Sequence, residues 1–104
     1  MSVNFDLTQI EGFEWDEGNL LHIKIHNVSY TEAEEIFRNQ PFFISPDIKH
    51  SETEERFQAL GVSENGKYIF ISFTVRRRKI RVISARNQNK KERNQLLEIG
   101  GDNS

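Results

Sequence analysis

A chain of 104 residues with no cysteine and no Pro/Gly/Ser-rich stretch is sized for one domain, which excludes a disulfide framework and a thiolate metal site. Its formal charge of −2 argues against a uniformly basic nucleic-acid binder. No window is apolar enough for a membrane span, and Met1 to Gly12, with Asp6 and Glu11, lacks the basic start and apolar run of a signal peptide, so a cytoplasmic location is expected.

Phe13-Glu14-Trp15-Asp16 alternates apolar and acidic residues as a short strand does, and Asp16 suits the N-cap of a following helix because its carboxylate accepts from first-turn amides. Leu20, Leu21, Ile23 and Ile25 give that helix about two turns, ending at Asn27, which tolerates a left-handed stop. Ser29 and Glu32 have capping-box spacing and open a second helix. Ala33, Ile36 and Phe37 continue it, and Pro41 closes it.

Beyond Pro41 the period changes to two, and strands are expected at Phe42 to Ser45, Arg56 to Val62, Lys67 to Val75 and Lys79 to Ser84. Asn65-Gly66 suits a type I′ hairpin turn, whose central residues both need positive φ. The turn at Arg76 to Arg78 has no glycine, so backbone need alone would not choose those residues. Ser84 to Asn89 breaks the alternation; Asn87 or Asn89 caps a last helix over Lys90 to Ile99, and Gly100 to Ser104 reads as a frayed tail. The expected fold is α+β: an N-terminal strand and a helix pair packed on an antiparallel meander sheet of three to four strands, with a C-terminal helix. One domain spans 1–104, with its ordered core at about 13–98.

Charge is unevenly placed. Arg76, Arg77, Arg78, Lys79, Arg81, Arg86, Lys90, Lys91 and Arg93 are nine of the fourteen Lys and Arg and face one acid, Glu92, so this segment carries +8 and the remainder −10. A polyanion suits the basic segment, and so does a solvated strand-and-helix face.

Phe13-Glu14-Trp15-Asp16, His22-Ile23 with His26 and Val28, His50-Ser51-Glu52, Glu55-Arg56-Phe57 with Gly61, Ile80 through Arg86, and Lys91-Glu92-Arg93 resemble the BrnT toxin family in order and spacing. The resemblance runs from Phe13 to Glu98 and rests on the colinear set, each piece being short. It implies a RelE-like fold, metal-independent endoribonuclease activity that arrests translation, and neutralisation by a BrnA-type antitoxin with a ribbon-helix-helix domain. Operator DNA is then contacted only through the antitoxin. Ile25 stands where many members carry Lys or Arg, Asn27 where Gly is usual and Leu96 where Tyr is frequent. Loss of a cation beside His26 bears on catalysis more than on the fold.

RNA cleaves itself when a 2′-hydroxyl attacks the adjacent phosphate, so a metal-free nuclease needs a proton acceptor, positive charge for the phosphorane and a proton donor. Arg56, Arg81 and Arg86 are the candidates for charge stabilisation, because guanidinium forks match phosphate oxygens in pairs. His26, His50 and Glu55 complete the candidate catalytic set; Arg76, Arg77, Arg78, Lys79, Lys90, Lys91 and Arg93 form the candidate RNA-binding set. Surface ion pairs with Glu54 or Glu55 are the plainer role for the arginines, and helix-surface packing for His22 and His26. Those two histidines share a helix face, a spacing also used by metal ligands, but no third ligand is near, so no metal and no cofactor are expected. Trp15, Tyr68, Phe70 and Phe73 are assigned to packing. The alternative function is a non-catalytic module that binds nucleic acid or an acidic protein through the Arg76 to Arg93 face.

Overall fold

Two capping boxes start the first two helices. Asp16 accepts from the Asn19 backbone N–H at 3.0 Å while the Asn19 carboxamide oxygen accepts from the Asp16 N–H at 2.8 Å, and α1 (Glu17–Ile25) follows. Asn27, at φ 65°, takes the left-handed stop its residue type suggests. Ser29 and Glu32 exchange an equivalent pair of bonds and open α2 (Tyr30–Glu35). Its expected run through Phe37 to Pro41 is corrected: the helix stops at Glu35, where the Phe37 and Arg38 N–H groups reach back only three residues, to the Glu34 and Glu35 carbonyls at 3.2 and 2.9 Å. The computed structural model describes residues 7–100; of the tail expected from Gly100 to Ser104, Gly100 still belongs to the last helix, while residues 101–104, like the first six residues, lie outside the described residues. Among the described residues no helix is long and apolar enough to cross a membrane.

Strands β2 (Phe43–Pro46), β3 (Phe57–Val62), β4 (Tyr68–Arg76) and β5 (Lys79–Asn87) form the expected antiparallel meander. A further strand, β1 (Gly12–Phe13), pairs with Lys79 and Ile80 in parallel, so the sheet has five strands in the order β1-β5-β4-β3-β2 and is mixed. The strand expected over Phe13 to Asp16 is thereby corrected: it stops at Phe13, because Asp16 is committed to capping α1 and Glu14 adds only one bond, its N–H to the Ile80 carbonyl at 2.8 Å. The end of β5 is corrected as well. Phe73 pairs with Val82 but Ser72 with Ser84, so Ile83 is an extra residue, a bulge that resets the alternation and carries the strand on to Asn87. Asn89, not Asn87, caps α3 (Lys90–Gly100), accepting from the Glu92 N–H at 2.8 Å.

The type I′ turn expected at Asn65-Gly66 is found at the other hairpin instead. Only Gly66 of the Asn65-Gly66 pair has positive φ (86°), and its N–H bonds the Ser63 carbonyl at 3.0 Å, so this loop is a turn followed by a left-handed glycine and not type I′. Between the paired residues Arg76 and Lys79, by contrast, Arg77 (φ 53°) and Arg78 (φ 67°) both have positive φ and make the type I′ turn. A left-handed residue with a side chain like arginine's costs on the order of 1 kcal/mol.

One sheet face carries the main core. Ala59 of β3, Ile69, Ile71 and Phe73 of β4, and Ile80, Val82 and Ala85 of β5 are buried against Ile23, Val28, Ala33 and Ile36 from α1, α2 and their flanks. The approach is close: a Cβ on Gly61 would lie 2.6 Å from the Ile36 Cβ. Packing is the role found for Phe73, fully buried, and Trp15, which leans on the core and donates from Nε1 to Glu34 at 2.8 Å. Helix α3 packs against β3, and its Leu96 is fully buried outside that cluster, as is Leu60 nearly so on the opposite sheet face. Apart from Leu60 and the buried Thr74, the strand residues of this second face, among them Gln58, Ser72, Arg81, Ser84 and Arg86, are partly exposed.

Candidate active site

Register fixes which side chains share the open face. Thr74 pairs with Arg81, and continuing the β3–β4 and β2–β3 registers one residue sets Arg56 across from Thr74 and Asp47 across from Arg56. Two bonds hold this end together: the Asp47 N–H donates to the Arg56 carbonyl at 2.8 Å, and Thr74 Oγ1 donates to the Glu55 carbonyl at 2.7 Å. Arg56 and Arg81 thus stand two strands apart, roughly 10 Å between backbones, with the small, buried Thr74 between them. Long side chains bridge that gap. Two residues further along come Ser45, Gln58, Ser72 and Ser84, and two further again Phe43, Leu60, Phe70 and Arg86.

The arginine row borders a recess of about 290 Å³ lined by Gly18, Asn19, His22, Glu54, Arg56, Arg76, Arg81, Val82 and Ile83. Helix α1 forms one wall because the Asn19 carboxamide donates to the carbonyls of Glu14 (3.1 Å) and Val82 (3.2 Å), tying the helix to β5 where β1 has ended. That orientation turns Ile23 into the core and Gly18 and His22 toward the arginines. Carboxylates aim two of the guanidiniums: Arg81, 22% exposed, meets Asp16 at 2.9 Å and Glu14 at 3.9 Å, and Arg76 meets Glu54 at 3.0 Å. The Asn19 N–H and then Arg81 hold the Asp16 carboxyl below its ordinary range. Arg56 has no side-chain ion pair or hydrogen bond among the described residues, and its Nε is buried without a partner.

Other members of the sequence-derived set lie outside the recess. Arg86 is about 13 Å along the face from the Arg56–Arg81 row; it forks onto Glu92 at 2.8 and 2.9 Å and covers the Phe70 ring at 4.1 Å. Glu92 raises the Arg86 pKa, and Arg86, against the effect of burial and with the Asn89 N–H, lowers that of Glu92. His26 is exposed at the end of α1, its ring 6.2 Å from that of His22, and does not line the recess. Glu55 is exposed, its carbonyl occupied by Thr74. His50 lies beside the arginine row, since its Nδ1 is 3.1 Å from both oxygens of Asp47, the residue across from Arg56.

The basic segment forms a strip along β5 with a cluster at each end. Arg76, Arg77, Arg78 and Lys79 make the hairpin tip; Lys90, Lys91 and Arg93 stand in the first turn of α3, some 27 Å away at the other end of the strand. Asp47, Thr74 and His22 are among the site residues that lie outside the sequence-derived set. Asp47 was signalled by its spacing from His50 and Thr74 by its place in a strand, whereas the choice of His22 over His26 depends on how α1 is rotated. A larger recess of about 610 Å³ lies on the other side of α1, but its Lys67 is committed to the Asn27 carbonyl at 2.6 Å and to Glu32 at 3.0 Å, and it gathers no cluster of arginines. Among the described residues no three His, Cys, Asp or Glu side chains group as metal ligands.

No curated protein matches the chain. Residues 15–92, three quarters of the sequence, match the family model of the ribonuclease toxin BrnT of type II toxin–antitoxin systems. That span holds the arginine row, the recess wall at His22 and the Asp47–His50 pair, and the chain therefore belongs to the BrnT family of ribonuclease toxins.

Proposed function

We propose that this chain is a RelE-like toxin that cleaves RNA without a metal ion, by attack of the 2′-hydroxyl on the adjacent phosphate, and so arrests translation in the cytoplasm. The observation that carries the reading is Arg56, a guanidinium unpaired among the described residues and with a buried orphan Nε, beside Arg81 at a recess also walled by His22. Arg56 and Arg81 grip the non-bridging oxygens and stabilise the extra charge of the phosphorane. With Nδ1 donating to Asp47, His50 keeps a lone pair on Nε2 and takes the 2′-hydroxyl proton. The new 2′-O–P bond forms as the P–O5′ bond breaks, and a protonated His22 gives its proton to the departing 5′-oxygen. The products are a 2′,3′-cyclic phosphate and a 5′-hydroxyl. Arg86, on its Phe70 platform, holds the strand further along the face; His26 and Glu55 take no step.

A toxin of this family implies an antitoxin and an RNA target. We assign a BrnA-type ribbon-helix-helix antitoxin, whose own domain makes any contact with operator DNA. Incubation of the purified chain with total RNA in excess EDTA tests the reading. Cleavage with cyclic-phosphate ends supports it. Activity appearing only on addition of a divalent metal overturns the mechanism, and RNA binding without cleavage leaves the alternative of a binding module.

A further inference from the structure

We propose that the Arg77–Arg78 turn is a phosphate grip for the RNA strand where it leaves the Arg56–Arg81 recess, an extension that rests on the reading above. The first support is conformational. Both residues have positive φ, 53° and 67°, in a two-residue turn for which Asn-Gly is the unstrained choice. The other hairpin of the same sheet satisfies its left-handed position with Gly66. At the β4–β5 tip the chain accepts strain and keeps two guanidiniums.

The second support is that the fold makes little use of those side chains. Arg77 is exposed with no hydrogen bond or ion pair among the described residues, and Arg78 reaches only Glu11, at 3.5 Å, with the two side chains 66% and 58% exposed. Such a pair contributes little to stability. Position gives the third: Arg76 lines the recess and the tip follows it directly, so a strand held at Arg56 and Arg81 passes the turn as it leaves. The tip reads Arg76-Arg77-Arg78-Lys79 with no apolar side chain, which fits a phosphodiester backbone better than the apolar centre of a protein interface.

The test replaces Arg77 by Asn and Arg78 by Gly together, in the whole chain, and measures melting and binding to a 2′-O-methyl oligouridylate, which cannot be cleaved. Relief of strain should raise the Tm by a few degrees while affinity at low salt falls by about tenfold; two lost phosphate contacts should flatten the slope of log affinity against log salt by about 1.4. Arg77→Lys with Arg78→Lys should keep most of that slope. Unchanged affinity and slope, in a chain whose RNA cleavage still depends on Arg81, would assign the tip to another partner such as an acidic protein segment and overturn the grip alone. A lower Tm would show that the arginines serve the fold, again overturning it. A parent chain that neither binds nor cleaves RNA overturns the grip and the ribonuclease reading together.

Discussion

On the face of the sheet beneath α1 and α2, Ile69, Ile71, Phe73, Ile80 and Ala85 are almost fully buried. On the opposite face, residues one position away on the same strands, Arg81, Arg86, Ser72 and Ser84, stay partly open to solvent. The first face removes apolar area from water and holds the fold; the second tolerates charges because its arginines stay partly exposed and meet carboxylates, Arg81 at Asp16 and Arg86 at Glu92 of α3. The backbone between them is common, and the Asn19 carboxamide fixes α1 to the β5 edge through the Val82 carbonyl. Stability and chemistry should therefore respond to different substitutions even where the positions adjoin in sequence.

The strongest way to break that separation is Phe73→Ala. Phe73 is fully buried, stacked on Phe57 at 5.4 Å and edge-on to Phe37 at 5.3 Å between ring centroids. Its truncation should cost about 3–5 kcal/mol, a large share of the stability of a small domain. A drop in Tm of about 15 °C or more, followed by circular dichroism, is the expected reading. A melt close to the parent's would mean the core has been drawn on the wrong face.

Arg56→Ala and Arg81→Ala are the matching test on the open face. Each should lower cleavage by roughly tenfold to a thousandfold, because the interaction removed is strongest in the transition state. The Tm should move by no more than about 3 °C, since the Arg56 side chain has no ion pair among the described residues to lose and the carboxylates that Arg81 leaves behind, Asp16 and Glu14, are themselves exposed to solvent. Lys at either position should restore only part of the rate, keeping the charge and losing the fork. Folded Ala variants that cleave at the parent rate would remove the arginine row from the mechanism.

Much of this arrangement is legible in the sequence because its signals are local. Asp16, Ser29 with Glu32, and Asn27 act within a few residues of themselves, so the starts of α1 and α2 and the stop after α1 follow from residue types, whereas α2 ends at Glu35, short of the end expected at Pro41. The alternation in Tyr68 to Val75 announces β4 in the same way. What the sequence hides is set by distant partners. The parallel pairing of β1 spans two residues and depends on β5 being present. The Ile83 bulge shifts the phase of β5 without any glycine or proline to mark it, which is why the strand reads as ending at Ser84. His22 and His26 are equivalent in spacing, and only the Asn19 tie to Val82 decides which one meets the arginines.

The smallest effect sharpens the comparison through two glutamates, one for each side of the molecule. Glu32 joins the start of α2 to the β3–β4 hairpin, accepting from Asn65 at 3.0 Å and Lys67 at 3.0 Å; burial pushes its pKa up, but the Ser29 N–H, Lys67 and Asn65 outweigh it and the net direction is down. Glu92 is held down chiefly by Arg86. A carboxyl whose pKa is lower in the folded chain adds stability above its unfolded value and loses it as pH falls through the folded one. The parent should therefore lose stability on acidification below the ordinary carboxylate range, by about 1 kcal/mol or less for each group. Glu32→Gln and Glu92→Gln should each melt slightly lower than the parent at neutral pH and converge with it in acid. Their effects on RNA should differ. Glu92→Gln frees Arg86 and removes a negative charge from the open face, so affinity for the 2′-O-methyl oligouridylate should rise; Glu32→Gln, away from that face, should leave it unchanged. Equal changes in RNA affinity for the two variants would show that the faces are not separate.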